Sequence, residues 1–191
     1  MREQKSGLEE QLAESLKRLS VEHSFDKVTI KDITEAAMVS RPTFYNHFQD
    51  KYDLLAWILV TEVLEPVKLL LEHDMTMEAI IMLFGNLLKD KAFYQSVVKT
   101  QGQNSFAETL RDTTQKMLEE IFRKHIRPER VTDFWQSPEN LSRYYAWAIQ
   151  FAIVSWIENG FQESPRKVAE ILHRLMTTSL EDIIEGLGGD D

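Results

Sequence analysis

Arg41, Thr43, Tyr45, Asn46 and His47 fall within seven consecutive residues and are the densest group of recognition chemistry in the chain. Arg, Asn and Thr reach the edges of nucleic-acid bases, and Thr and Tyr hydroxyls hold phosphate oxygens. Other chemistries lack their parts. There is no cysteine, so neither a thiolate nucleophile nor a disulfide is available. His23, His47, His73, His125 and His173 are scattered without metal-ligand spacing, and no Gly-rich phosphate loop or nucleophile elbow occurs. The carboxylate pairs Glu9-Glu10, Glu62-Glu65 and Glu119-Glu120 read as solvated helix faces. No cofactor, metal or enzymatic activity is expected.

To share one surface, the five side chains need a short helix that turns Phe44 and Phe48, four residues apart, toward a core. Ser40 is placed to cap that helix, and Pro42 sits in its first turn, where a missing amide hydrogen costs nothing. Before it, Ile30, Ile33, Ala36 and Ala37 recur at helical spacing, with Thr29 and Asp32 positioned as a capping box. Met38-Val39-Ser40 separates the two patterns, and Asp50, with Asp53 three residues on, opens a third. This spacing is that of a helix-turn-helix able to enter a major groove, although paired short helices also serve as plain connectors. Lys31 and Lys51 stand near helix starts, where amides and ammonium together suit phosphate.

The run from Lys27 to Leu55 resembles the N-terminal domain of the TetR family of transcriptional regulators. The resemblance rests on Phe25-Asp26, Val28-Thr29-Ile30, Asp32-Ile33, Ala36-Ala37, Val39-Ser40, Thr43-Phe44-Tyr45, His47-Phe48 and Lys51-Tyr52-Asp53-Leu54-Leu55. It implies an all-α fold, with a three-helix helix-turn-helix DNA-binding domain followed by a helical ligand-binding and dimerisation domain. On this chain the division falls at residues 1–57 and 58–191, inside the helix opened by Asp50, with no Gly-rich or Ser-rich linker. The resemblance implies that Lys31, Arg41, Pro42, Thr43, Tyr45, Asn46, His47 and Lys51 face double-stranded DNA. Arg41 and Asn46 are assigned to base edges, Thr43, Tyr45 and Lys51 to phosphate, and Pro42 to a thymine methyl or sugar. One position departs from the family, which usually has Gly where this chain has Met38. Either Met38 keeps a negative φ, or the turn bears the strain of a left-handed side chain.

Charge pulls the other way. The formal net charge is −9, and residues 1–57 carry eight basic against ten acidic residues, leaving −2 there and −7 in the remainder. That balance predicts weak non-specific affinity for DNA and sharp salt dependence. It also favours a competing reading, a helical protein-protein interaction or co-regulator module whose helix-turn-helix is structural. The polar, charged start argues against a secretory signal. The longest apolar run, Tyr144 to Ile157, is too short to span a bilayer. The expected location is the cytoplasm, without a membrane partner.

Helices are expected from about Leu8 to His23 with Ser6 and Glu9 as a capping box, from Asp50 toward Leu71 with a kink near Pro66, and over Thr76–Leu88, Lys91–Thr100 and Phe106–His125. Two more are expected at 138–159 and 164–185. The first of these is apolar on nearly every side and needs cover. A second copy of both helices supplies it in a twofold four-helix interface; a fully buried helix in a monomer is the alternative. The family forms dimers through its last two long helices, which favours the homodimer. The family also implies a small-molecule pocket, with Phe93, Tyr94, Gln101, Trp135, Tyr145 and Gln150 as candidate lining and simple core packing as the alternative for each. The stretches Phe93-Tyr94 through Gly102, Ser105-Phe106, Tyr144-Tyr145 and Trp156-Ile157-Glu158-Asn159-Gly160 are similar to a branch that includes regulators of dihydroxyacetone kinase operons. Some members of that branch respond through a protein co-regulator, so a small-molecule and a protein effector both stay open. The resulting expectation is a dimeric DNA-binding regulator, a repressor released from a palindromic operator by its effector.

Overall fold

The computed structural model describes residues 3–100 and 105–187, and every regular element among them is helical. Helix α1 spans Glu3–His23 and buries Leu12, Ala13, Leu16 and Leu19 as one stripe. It begins at Glu3, ahead of the expected start near Leu8, and the expected capping serine, Ser6, falls within its span; Glu3, Gln4 and Lys5 are all good helix formers. A single 3-10 turn, Phe25–Lys27, drops the buried Phe25 beneath the chain before α2, Ile30–Ala36, and α3, Arg41–Tyr45.

Next comes one unbroken helical path with an irregular middle. Helix α4, Lys51–Ile58, passes through a π-helical turn, Leu59–Leu64, into α5, Glu65–Leu71. The turn is widened, with the Glu65 amide donating to the Val60 carbonyl five residues back. Pro66 explains it: proline has no hydrogen for the carbonyl four residues earlier and its ring crowds that group, and a wider turn relieves both. The expected kink at Pro66 is thus absorbed one turn upstream.

The body is built from α6, Thr76–Lys89; α7, Lys91–Val97; α8, Phe106–His125; α9, Pro138–Glu158; and α10, Pro165–Thr177. Helix α8 runs along α9, α6 packs between α5 and α10, and α1 lies against α2, α4 and α7. The expected last helix over 164–185 is broken. Thr178 is extended, and the Ser179 hydroxyl accepts the Asp182 amide at 3.1 Å to start a new helix, α11, at Leu180–Leu187. Thr177, Thr178 and Ser179 in succession offer the backbone side-chain partners that compete with helix continuation. One contiguous cluster of buried apolar residues runs from Leu12 of α1 to Leu172 of α10.

Candidate nucleic-acid interface and effector cavity

Local bonding shapes the helix-turn-helix. The Thr29 hydroxyl accepts the Asp32 amide at 3.3 Å while the Asp32 carboxylate accepts the Thr29 amide at 2.9 Å, closing the capping box on α2. The Thr29 hydroxyl, itself donating to Asp32, and the Thr29 amide together hold that carboxyl below the usual range. At the other end, Val39 N–H donates to Thr34 O at 2.9 Å and Met38 N–H to Glu35 O at 3.1 Å, the pair of bonds of a Schellman cap. This cap fixes Met38 at φ 52°, so the residue in the family's glycine position does take the left-handed backbone. Its side chain is 87% exposed and meets no core. From α1, Gln11 braces the turn by donating Nε2 to Ala37 O at 3.0 Å. Ser40 then caps α3, accepting the Thr43 amide at 3.2 Å.

Helix α3 buries Phe44, whose ring lies 5.8 Å from that of Phe48 just beyond the helix; Phe48 in turn contacts Trp57 of α4 at 6.1 Å. Arg41, Pro42, Tyr45 and Asn46 are exposed, and Thr43 is half-buried with its hydroxyl 2.7 Å from that of Ser40. Lys31 is exposed on α2 beside Glu35. The structure gives two of the expected contacts internal partners. His47 is largely covered, its Nδ1 3.2 Å from a Glu9 oxygen on α1. The Lys51 ammonium donates to the carbonyls of Phe25, Asp26 and Val28 at 2.8, 3.0 and 2.9 Å and lies over the Phe25 ring. Burial pulls its pKa below the ordinary lysine range, against the nearby carboxylates of Asp26 and Asp50. Lys51 therefore clamps the 3-10 turn. Its position at a helix start suggested phosphate, but three stacked carbonyls within reach are a better match for a three-donor ammonium. With Lys51 turned inward, fewer cations remain to neutralise phosphate.

Of the pocket candidates, Tyr145 borders a cavity of about 440 Å³ between α5, α6, α8, α9 and α10. Its walls include Leu71, Ile80, Leu83, Phe122, Ile149 and Met176, and its polar groups are Thr76, Tyr145, His173 and Thr177. Phe93 and Tyr94 are core residues instead, stacked edge-on at 5.1 Å with Tyr94 against Phe106. Trp135 is 76% exposed on the connection between α8 and α9, and Gln150 is half-buried outside the cavity lining. Gln101 lies outside the described residues. Sequence reasoning did not assign Thr76, His173 or Met176 to a pocket, having read them as a helix start, a solvated histidine and part of an apolar face. Among the described residues no group of three His, Cys, Asp or Glu is placed to hold a metal ion.

A capped helix-turn-helix joined through one long helix to an all-helical body is the architecture of a one-component DNA-binding regulator. Residues 14–58 match the family described as bacterial regulatory proteins, tetR family, and residues 74–178, more than half of the chain, match a transcriptional regulator C-terminal region. The chain belongs to the TetR family of transcriptional regulators, and it is a DNA-binding regulator and not an enzyme. It is 27% identical over 86 residues to the HTH-type dhaKLM operon transcriptional activator DhaS of Lactococcus lactis, a match that spans 45% of this chain and about half the length of that relative, 46%. In fold it is similar to dihydroxyacetone kinase operon activator DhaS, with a TM-score of 0.56 at 22% identity over 88% of this chain and 93% of the other. It is also similar to NalD, the secondary repressor of the MexAB-OprM multidrug efflux pump in Pseudomonas aeruginosa, with a TM-score of 0.59 at 18% identity over 90% and 95%.

Two substitutions test this local geometry. Met38→Gly should stabilise the protein by about 1 kcal/mol in equilibrium urea unfolding, because it removes left-handed strain without losing packing. No gain would mean the turn is not left-handed in solution. Lys51→Met should cost about 2 kcal/mol, the value of charged hydrogen bonds left unmade. A cost near zero would show that the clamp does not form.

Proposed function

We propose that two copies of the chain form a homodimer that binds a palindromic operator and represses transcription, and that an effector held in the cavity releases it. The observation that carries the DNA reading is the two-sidedness of α3, which buries Phe44 and leaves Arg41, Pro42, Tyr45 and Asn46 in solvent. Arg41 and Asn46 read base edges, Thr43 and Tyr45 position on phosphate with Lys31 nearby, and Pro42 orients the helix start. His47 and Lys51 support that face from behind. Residues 1–57 act as the reader and 58–191 as the body.

The dimer reading is supported by Tyr144, Trp147 and Phe151, which form one stripe on α9, each more than half exposed. Ile171 and Leu175 add a second exposed stripe on α10. The matching helices of a second copy would bury both and set two recognition helices about 34–36 Å apart, one turn of DNA. The effector that suits the cavity is a largely apolar molecule with a polar group for Thr76, Tyr145 or His173. No helix among the described residues is long and apolar enough to cross a membrane, and the proposed location is the cytoplasm, with the DNA. Activation is the second reading for the sign of regulation, favoured by the description of the Lactococcus relative as an activator.

Selection of bound sequences from a random duplex library by the purified protein should recover a palindrome with equal half-sites. A lack of enrichment at low salt would turn the case toward the interaction-module reading. On the recovered operator, Arg41→Ala should lose about 1–3 kcal/mol and relax preference at one base pair per half-site, whereas Tyr45→Phe should weaken all sequences alike. Equal losses for Arg41→Ala on matched and mismatched sites would remove its base-reading role. Trp147→Asp should yield monomers in sedimentation analysis; an unchanged dimer would place the interface elsewhere.

A further inference from the structure

Lys17 occupies the middle of α1, within the apolar stripe of Leu12, Ala13, Leu16 and Leu19, and only 8% of it is exposed. Its ammonium stands 3.0 Å from a Glu14 oxygen, 2.5 Å from Glu62 and 2.9 Å from Asp90. Burial works against its charge, but the three carboxylates more than reverse that and hold its pKa above the ordinary lysine value. Each carboxylate sits on a different piece of the fold. Glu14 is one turn back on α1, Glu62 is in the π-helical turn of the connecting helix, and Asp90 is the single residue between α6 and α7. Nearby, Ser96 of α7 accepts the Phe25 amide at 3.2 Å and donates to Ser20 O at 2.6 Å, a second polar rivet along the same seam. The Tyr94 hydroxyl, buried and without a hydrogen-bond partner among the described residues, lies in the field of Glu62 and Asp90.

A buried ion cluster of this kind is a poor route to stability, because desolvation offsets most of the attraction and an apolar residue does as well. What it supplies is geometry: apolar contacts allow sliding, whereas an ammonium shared among three carboxylates on separate elements is satisfied in one arrangement. Helix α1 is also the element that touches the reader from behind, through Gln11 to the turn and Glu9 to His47. We propose that Lys17 is a positioning residue that fixes α1, and through it α3, against the π-helical turn and the α6–α7 junction. Movement of the connecting helix then reaches the reader as loss of the Glu62 contact. The link to DNA rests on the function proposed above, while the positioning itself is measurable without DNA.

The chain has no cysteine, so spin labels at Gln49→Cys and Glu78→Cys, both exposed, report the distance from reader to body without background. Doubly labelled chains diluted in unlabelled protein give the intramolecular distance alone. Lys17→Met and Glu62→Gln should each at least double the width of the distance distribution, Lys17→Arg should leave it narrow, and the double variant should be no broader than either single one. On the selected operator the two single variants should bind about tenfold more weakly, with Lys17→Arg restored. Widths unchanged in Glu62→Gln, the conservative variant that keeps the side-chain shape, would overturn the proposal even if melting temperatures fall. So would single-variant effects that add in the double. Failure of the wild-type protein to select any DNA would count against the function and leave the distance result to decide this point.

Discussion

One helix belongs to both halves of the molecule, and that shared element constrains everything else. Leu54, Leu55, Ile58 and Leu59 are wholly buried along α4 and the start of the π-helical turn, within the same cluster that holds Leu12 of α1 and Phe84 of α6. Interiors packed this densely do not deform smoothly. Without a flexible linker, a displacement at α5 or α6 has nowhere to dissipate before it reaches α1 and the helix-turn-helix. The division proposed near Trp57 is therefore one of roles along a continuous core.

Charge is distributed in keeping with that arrangement. Lys17 and Lys51, two of the eight basic residues in the first 57, point inward, one to carboxylates and one to carbonyls. Their work is to hold elements together, and the reading face is left with few cations. On the function proposed above, a face with so few cations leaves discrimination to short-range hydrogen bonds at base edges.

Much of the reader was legible in the sequence because its signals are local. The Thr29–Asp32 box, the Ser40 cap and the Phe44–Phe48 pair each depend on residues within four positions of one another, and each is present. The fold class came from the family resemblance that these same residues carry. What sequence could not show were properties that depend on distant neighbours. Nothing near Lys51 announces the three carbonyls of residues 25, 26 and 28, and Phe93 and Tyr94 look like pocket lining until Phe106 is seen against them. Lys17 did leave a trace, a lysine one residue after Leu16 and four after Ala13, inside an apolar stripe. The break at Thr178 was also written locally, in three successive hydroxyl-bearing residues.

The widened turn at Leu59–Leu64 also sets helical phase. It accommodates one residue more than an α-helical turn, which rotates the downstream helix by about 100° relative to a straight continuation. With that rotation Val67 is buried and Leu71 forms part of the cavity wall. A uniform helix would have turned Pro66 and Leu70 to those places. The chemical character of the body's interior is thus decided partly by backbone geometry upstream of it, and two relatives with the same residues but a different turn would present different walls to a ligand.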